Sequence, residues 1–424
     1  MSAMLQADFR KKTDYHTSKD GTPYNMEELT RALDEDSFDM LSTIGTRHSA
    51  VSNRGLVFPC NWWWNQDFLS SPQTRAQGPS SPSSSSSGSS SRLLSDLDLE
   101  DVQGQLFEFA MDQHGSRFLQ QRISTADDLE KQMAFKELRP YLRELSTHVF
   151  GNYIVQKFLE YGTSEQLGVI VQSFRGRWNK LSLDLYGCRV VQKAAEVLPD
   201  IYKSVIVNEL VGRMIECIMH QNGNHVVQRI ITSVPQKLLN IIIKSLTGDM
   251  YMLSIHPFGC RVMQRLLENC SKEQMKVIFQ EVLQHTESLL LNEYGNYVIQ
   301  HVIEYGGGLD KSKVVAVLTG KICSLSQHKF ASNVVEKSLT FGCDADKKTI
   351  IAEISHESAL LKMMTNRYGN YVIQKAIDTA ELRQKQALVL LIHPHLPLMR
   401  RYTYGKHIAY KVKSLLSRAS LGQW

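Results

Sequence analysis

A six-residue pattern recurs along this chain at a nearly constant interval, and it constrains the fold more than any other feature. Each copy holds a small residue, a short side chain, a planar or polar residue, two apolar residues and a Gln or Glu. The copies begin at Gly115, Gly151, Gly187, Gly223, Gly259, Gly295, Ala331 and Gly369. The first seven are spaced by 36 residues, the eighth follows after 38, and a degenerate ninth copy begins at Gly405. This period indicates small units that bury their apolar faces by stacking on their neighbours.

The segments between the copies favour helices. Windows such as LNIIIKSL and MKVIFQEVL carry apolar residues at helical spacing, and no segment shows sustained strand alternation. Pro and Gly fall mainly at junctions, as at Pro257 and Gly259. We therefore predict an all-α fold, an α-solenoid of two- or three-helix units.

Composition narrows the class of protein. Hydrophobic residues make up 42% of the chain and charged residues 21%, which is enough apolar material for a core. The net charge is only +5, so a nucleic-acid site would have to place its charges locally. The seven cysteines include no C-x-x-C pair and are predicted to be reduced thiols. Without an apolar run of membrane length or a secretory signal, a cytoplasmic protein with no membrane contact is expected.

Residues 1–91 differ from the rest of the chain. They lack a periodic pattern and end in a Ser-rich tract at residues 80–91, so we predict a low-complexity, disordered region. Trp62, Trp63 and Trp64 stand in a row there. They are interpreted either as a partner-binding linear motif or as a local apolar cluster. Residues 92–424 form the predicted repeat domain.

The repeated motif has one apolar and one polar face. We call the residue after the small one position i. On a helix, i, i+1 and i+4 share a face, while i+2 and i+3 point away from it. Positions i+2 and i+3 are apolar in all eight copies, from Phe118 and Leu119 to Val372 and Ile373. These residues are predicted to be core, and the small residue to allow close helix packing.

The polar face repeats the same side-chain types. Position i holds Ser116, Asn152, Cys188, Asn224, Cys260, Asn296, Ser332 and Asn370. Position i+4 holds Gln120, Gln156, Gln192, Gln228, Gln264, Gln300, Glu336 and Gln374. Position i+1 holds Arg117, Tyr153, Arg189, His225, Arg261, Tyr297, Asn333 and Tyr371. Hydrogen-bonding groups at i and i+4, flanked by planar groups that stack, suit the edge and face of an unstacked base. A solvated polar helix face explains the polarity but not the restriction at position i to Ser, Asn or Cys.

A basic stripe follows at position i+5 in seven copies. It consists of Lys157, Lys193, Arg229, Arg265, His301, Lys337 and Lys375. These side chains could contact phosphates or pair with neighbouring acids on the helix surface, and the sequence leaves both interpretations open.

Residues 92–424, about three quarters of the chain, closely resemble the Pumilio homology domain of the PUF family. The resemblance implies eight three-helix repeats of about 36 residues with degenerate capping repeats, arranged as a curved, superhelical arc. It further implies that the concave face binds single-stranded RNA antiparallel, with one base per repeat and the 5′ base in repeat eight.

The family's recognition code can be carried over copy by copy. In the family, Asn with Gln reads uracil, Cys or Ser with Gln reads adenine, and Ser with Glu reads guanine. From the last copy to the first, the pairs are Asn370/Gln374, Ser332/Glu336, Asn296/Gln300, Cys260/Gln264, Asn224/Gln228, Cys188/Gln192, Asn152/Gln156 and Ser116/Gln120. The resemblance therefore implies the target 5′-UGUAUAUA-3′.

The resemblance also implies a cellular role. Such proteins bind the 3′ untranslated regions of messenger RNAs in the cytoplasm, repress translation, and recruit deadenylase machinery and other repressor proteins. A monomer is expected. Close Pumilio relatives carry a longer loop between repeats seven and eight that docks protein partners, so the spacing of 38 here places that docking in doubt.

Other classes of protein predict other features. A protein-binding α-solenoid scaffold is the main alternative, and it requires no ordered triplets at i, i+1 and i+4. An enzyme is not expected, because the chain has no phosphate-binding Gly loop, metal-ligand spacing or nucleophile motif, and no cofactor is implied. His393 and His395 are predicted to lie in a surface loop and not at a metal. Gly306, Gly307 and Gly308 are predicted to form the turn between repeats six and seven.

Overall fold

A computed structural model of the protein describes residues 97–420. The predictions for residues 1–91, including Trp62, Trp63 and Trp64, lie outside the described residues. Within them, the chain forms eight triplets of helices, each with a shorter first helix and two longer ones. A pair of capping helices, α25 (Leu396–Met399) and α26 (Gly405–Ser420), follows the last triplet.

The helices are numbered here in chain order. The first helices of the repeats are α1 (Leu106–Met111), α4 (Leu142–Ser146), α7 (Trp178–Leu183), α10 (Met214–Met219), α13 (Met250–Ser254), α16 (Thr286–Leu291), α19 (Ile322–Ser326) and α22 (Glu357–Thr365). The second helices, which we call the motif helices, are α2 (Gln113–Thr125), α5 (Gly151–Tyr161), α8 (Gly187–Val197), α11 (Gly223–Ser233), α14 (Gly259–Asn269), α17 (Gly295–Tyr305), α20 (Ala331–Phe341) and α23 (Gly369–Thr379). The third helices are α3 (Asp128–Leu138), α6 (Ser164–Phe174), α9 (Asp200–Leu210), α12 (Gln236–Leu246), α15 (Lys272–Val282), α18 (Gly308–Leu318), α21 (Asp344–Ile354) and α24 (Leu382–Ile392).

The motif helices stack in chain order. Each contacts the motif helix of the next repeat, and α26 packs on α23 and α25. The apolar residues at i+2 and i+3 are buried in all eight repeats, as predicted. The predicted solenoid of eight three-helix repeats is therefore confirmed, and the degenerate ninth copy belongs to the capping helix α26.

The small residue that begins each motif lies against the first helix of its own repeat. A Cβ added to Gly259 would lie 2.4 Å from the backbone oxygen of Leu253, and one added to Gly223 would lie 2.5 Å from that of Cys217. Real side chains do not approach so closely, so the crossing requires glycine at these positions. Repeat seven accepts a methyl group at Ala331, which is fully buried.

Capping side chains start several of the third helices and also connect neighbouring repeats. Thr163 and Gln166 form a capping box at α6, and Ser271 and Gln274 form one at α15. Gln166 Nε2 also donates to Gln132 Oε1 of the preceding repeat over 3.0 Å. Gln166 and Gln274 are buried, and their hydrogen bonds to the preceding repeats help to hold the repeats in register.

Odd and even repeats begin differently. Ahead of the first helices in repeats one, three, five and seven, a glycine adopts a positive φ, for example 75° at Gly176. Glu209, from the third helix of the same repeat, accepts from the backbone N–H of Gly176 (2.8 Å) and of Trp178 (2.7 Å). The equivalent clamps are made by Glu137, Glu281 and Glu353. Repeats two, four and six instead have a 3₁₀ turn directly ahead of the first helix, so the two kinds of start alternate from repeat one to repeat seven.

The structure locates three smaller features that were noted in the sequence. Gly306 and Gly307 join α17 to α18 inside repeat six, so the prediction that this turn separates repeats six and seven is wrong. His393 and His395 lie in a 3₁₀ turn after α24, and His395 Nε2 is 3.7 Å from Glu357 Oε1. The extra residues before repeat eight lengthen its first helix, since only residues 355–356 separate α21 from α22.

The structure of residues 97–420 also shows the state of the cysteines and whether side chains cluster as metal ligands or helices could span a membrane. Between residues 97 and 420 all the cysteines are free, and no cluster of three or more His, Cys, Asp or Glu side chains could hold a metal ion. None of the helices in this range combines the length and apolar character needed to cross a membrane.

Candidate nucleic-acid interface

The polar motif positions form three parallel rows along the stacked motif helices. The side chains at i+1 are exposed in all eight repeats, and those at i+4 are half-buried except for Gln264, which is buried. The side chains at i are buried in every repeat; Asn152, for instance, is 0% exposed. The sequence placed i and i+4 side by side, whereas the structure places i beneath i+4.

In repeats two, four, six and eight, an Asn at position i orients the Gln at i+4. Asn152 donates its Nδ2 to the backbone oxygens of His148 (2.8 Å) and Val149 (3.0 Å). A carbonyl oxygen can only accept, so the Oδ1 of Asn152 must face Gln156, which donates its Nε2 over 2.9 Å. The same bond joins Asn224 to Gln228, Asn296 to Gln300 and Asn370 to Gln374 at 2.9, 2.9 and 3.1 Å.

This chain of bonds determines what Gln156 offers to a ligand. One of its two Nε2 hydrogens is used by Asn152. The second Nε2 hydrogen and the Oε1 lone pairs remain, which makes one donor beside one acceptor. The Watson–Crick edge of uracil presents an N3–H donor beside a carbonyl acceptor, and it is complementary to that pair.

In repeats three and five, a Cys at position i leaves the Gln differently placed. Cys188 donates its thiol to the backbone oxygen of Leu185 over 3.3 Å, and Gln192 Nε2 donates to the backbone oxygen of Cys188 over 3.1 Å. Burial raises the pKa of Cys260 to about 11, so that residue is a neutral thiol at physiological pH. Within the described chain, the buried Nε2 of Gln264 has no hydrogen-bond partner. A buried amide nitrogen without a partner is costly, and this one has almost no accessible surface from which to meet a base.

Repeat seven is chemically distinct because a carboxylic acid replaces the amide. Burial raises the pKa of Glu336 to about 7, and the charge of Lys375 opposes this shift. Ser332, beneath it, donates to the backbone oxygen of Lys329 over 3.5 Å. As a carboxylate, Glu336 offers two acceptors and no donor, which complements the N1–H and N2–H donors of guanine.

The exposed row at i+1 supplies planar groups. Tyr371 is 56% exposed, and the guanidinium of Arg261 lies 5.7 Å from the ring centroid of Tyr297 in the next repeat. Planar groups of neighbouring repeats therefore lie next to one another on this row, and groups of this kind stack on bases. Burial and, secondarily, the charge of Arg189 lower the pKa of His225, so its ring is neutral at pH 7.

The basic stripe at i+5 is largely engaged in ion pairs. Lys157 and Lys193 lie 3.4 and 3.9 Å from the Glu160 carboxylate. Lys337 Nζ lies 2.6 Å from Glu304 Oε2. Arg265 and His301 share the carboxylate of Glu268. Of the two interpretations open from the sequence, this geometry favours pairing with neighbouring acids in the free protein.

Comparison with known proteins agrees with this geometry. The sequence model of the Pumilio-family RNA binding repeat matches eight segments: 105–139, 141–173, 177–211, 213–247, 249–283, 285–319, 321–355 and 360–393. The chain belongs to the Pumilio family of RNA-binding repeat proteins. Its eight matched repeats coincide with the eight helix triplets.

Individual Pumilio-family relatives share sequence and fold with this chain. Pumilio homolog 1 of Xenopus laevis is 45% identical over 94 residues, which is 20% of this chain and 8% of the relative. The Puf3 RNA binding domain, solved bound to the Cox17 RNA 3′ UTR recognition sequence site A, is 37% identical with a TM-score of 0.68, covering 75% of this chain and 97% of that one. PUF-8 in complex with PBE-RNA is 36% identical with a TM-score of 0.72, covering 75% and 95%. These matches confirm the curved solenoid, while the matched segment spans only a small part of the curated relative.

One row of this Pumilio-family surface was missed from the sequence. The residue at i−4 accepts backbone N–H groups through its side chain at the start of each motif helix. This row consists of Asp112, His148, Asp184, His220, His256, Asn292, His328 and Asn366. The signal was available, because Asp, His or Asn recurs there with the period of the motif.

Proposed function

We propose that this protein binds single-stranded RNA by sequence, in the 3′ untranslated regions of messenger RNAs. The element is 5′-UGUAUAUA-3′, read antiparallel with one base per repeat. The single observation that carries the proposal is the row of i+4 side chains on the stacked motif helices, half-buried except at Gln264 and oriented by Asn in the even-numbered repeats, beside the exposed planar groups at i+1. The family supplies the one-base spacing.

The alternation of pairs accounts for the alternation of the proposed bases. Asn lies beneath Gln in the even-numbered repeats, and Ser or Cys lies at that position in the odd-numbered repeats. The donor and acceptor left on each Asn-anchored Gln support uracil at bases 1, 3, 5 and 7. The two acceptors of Glu336 support guanine at base 2, and the family code assigns adenine at base 4 to the Cys260/Gln264 pair.

Binding of this kind would act on messenger RNA through other proteins. We propose that the protein is a cytoplasmic monomer that represses translation or promotes decay by bringing deadenylase machinery and other repressors to the bound message. The solved relatives bound to 3′ UTR sequences support the RNA part of this proposal. No catalytic step by the chain itself is part of it.

The proposal is tested by measuring the affinity of the full-length chain at one stated salt concentration. An RNA containing UGUAUAUA is compared with the same RNA in which UGU is changed to ACA. We expect the change to weaken binding by about a hundredfold or more, since several base contacts are lost together. A matched protein control is the Gln300→Ala, Glu336→Ala, Gln374→Ala variant, which removes the side chains assigned to bases 3, 2 and 1 and should bind both RNAs more nearly alike.

Two other results are informative. Equal affinity for both RNAs would mean that phosphate attraction alone drives binding. If neither RNA bound, the protein-binding scaffold would become the better description of the solenoid.

A further inference from the structure

The loop that precedes each motif helix is closed by the residue at i−4, which we call the capping residue. In repeat two, His148 Nδ1 accepts from the backbone N–H of Phe150 (3.3 Å) and of Gly151 (3.2 Å). In repeat six, Asn292 Oδ1 accepts from Tyr294 (2.9 Å) and Gly295 (2.8 Å). His, Asn and Asp therefore make the same pair of bonds through an acceptor placed at a similar distance from the backbone.

The backbone oxygen of the same capping residue holds the side chain at position i. The oxygen of His148 accepts both the backbone N–H and the Nδ2 of Asn152, at 3.2 and 2.8 Å. In repeat six, the oxygen of Asn292 accepts both groups of Asn296, at 3.2 and 2.9 Å. One residue thus closes the loop with its side chain and anchors the buried amide with its carbonyl.

Resting on the proposed function, we infer that the capping residues are positioning residues for base selection. A capping side chain fixes the loop carbonyls, the carbonyls fix which way the Asn amide faces, and Asn Oδ1 fixes the Gln amide that meets the base. Without the cap, the two backbone N–H groups lose their acceptor and the loop carbonyls are free to turn. Gln156 could then present either edge, and uracil would lose its advantage over adenine.

The inference requires acceptor chemistry and not a particular residue type. His148 also packs its ring on Phe150, with centroids 5.9 Å apart. His148→Phe keeps a ring without an acceptor, and His148→Asn keeps an acceptor without a ring. The chain itself supplies the precedent for the second variant, because Asn292 and Asn366 cap repeats six and eight.

The test measures base selection by the full-length chain at two positions. At base 7, which is assigned to repeat two, UGUAUAUA is compared with UGUAUAAA; at base 3, assigned to repeat six, it is compared with UGAAUAUA. The wild-type chain should prefer uracil by about tenfold or more at each position. His148→Phe should reduce the base 7 preference to about threefold or less and leave the base 3 preference unchanged, whereas His148→Asn should retain both.

Each contrary outcome has a defined meaning. A wild-type chain without preference at base 7 contradicts the proposed function in repeat two, and the inference with it. If the wild type discriminates and His148→Phe keeps its preference, the inference alone is overturned. Equal losses of preference at bases 3 and 7 would also overturn the inference, because they indicate a general loss of stability. A His148→Asn variant as impaired as His148→Phe would overturn it too, because it indicates that the packing of the ring matters and not the acceptor.

Two reciprocal variants of Asn292 in repeat six provide a second test in case His148→Phe fails to fold. Asn292→His should keep the preference at base 3, since His148 makes the same bonds in repeat two. Asn292→Leu should lose that preference while base 7 is still read. If Asn292→Leu read base 3 as well as the wild type does, the capping side chain would have no role in selection.

Discussion

Gln300 donates its Nε2 to Asn296 Oδ1 over 2.9 Å, whereas in the next repeat Glu336 lies above Ser332 with no amide beneath it. The two repeats share the helix positions and the buried apolar residues of the motif. They differ in the residue at i+1, Tyr297 against Asn333, and in the hydrogen-bonding groups at i+4, which are one donor and one acceptor in repeat six and two acceptors in repeat seven. This contrast lets the recognition code be tested by exchanging two side chains.

The variant Ser332→Asn with Glu336→Gln should change the preferred base 2 from guanine to uracil. It recreates the oriented pair of repeat six, so the preference is expected to shift by about 1 to 3 kcal/mol. The measurement is the affinity of the full-length chain for UGUAUAUA and UUUAUAUA. The single variant Glu336→Gln serves as the control, since it removes the carboxylate without supplying Asn. A double variant that still preferred guanine would contradict the carried-over code.

Selection of guanine by repeat seven should depend on pH. Burial raises the pKa of Glu336 from its ordinary 4.5 to about 7, so the carboxylate that accepts from guanine is lost as the pH falls through 7. We expect the guanine preference at base 2 to decrease between pH 8 and pH 6, by at most about tenfold per pH unit for one proton. Glu336→Gln should show no such dependence at base 2. If the guanine preference of the wild type stayed constant between pH 8 and pH 6, Glu336 would be charged over the whole range and the expectation would be wrong.

The same group contributes to stability with the opposite sign. Because the folded pKa is raised, the folded state binds the proton more tightly than the unfolded chain does. This stabilisation of the folded state is fully present below pH 4.5 and is lost as the pH rises through about 7. Glu336→Gln should therefore unfold at a higher temperature than the wild type at pH 8, and this advantage should shrink at pH 6.

Much of the architecture could be predicted from the sequence because the repeat displays it eight times. A core position such as Val226 is apolar in every copy, and a buried contact is required in every repeat, so the signal accumulates. The rows at i+1 and i+4 were recognisable for the same reason. The burial of position i was not predictable in this way. A helical wheel gives the direction of a side chain and not how far the neighbouring repeat covers it.

Other features depend on contacts that no local pattern reveals. Glu209 reaches the N–H of Gly176 across 33 residues, and the sequence between them does not indicate this bond. The pairing of Lys193 with Glu160 joins two repeats and depends on how closely they stack. The capping row was a different kind of omission, since its period was visible but Asp, His and Asn were not recognised as one acceptor class.

The lysines beside Glu160 should reveal whether the basic stripe contacts phosphates. If Lys157 and Lys193 leave Glu160 for the RNA backbone, Lys157→Ala should weaken binding to UGUAUAUA and to mismatched RNA alike. It should also reduce the slope of log affinity against log salt by about one. Glu160→Gln is the matched control and should tighten binding to both RNAs. An unchanged salt slope in Lys157→Ala would indicate that these lysines stay paired with Glu160 and do not contact phosphates.

The carboxylate clamp of the odd repeats should stabilise the first helix locally. Glu209 accepts from the N–H of Gly176 and of Trp178, and Glu209→Gln leaves only one side-chain oxygen for two donors. Such a loss costs about 1 to 3 kcal/mol. We expect the Trp178 amide to exchange its hydrogen about tenfold faster or more, measured by hydrogen–deuterium exchange. The clamp of repeat five is the internal control, since Glu281 still holds Met250 over 2.7 Å and that amide should exchange as before. Equal acceleration at Trp178 and Met250 would mean that the variant loosens the whole array, and the clamp would then not act within its own repeat.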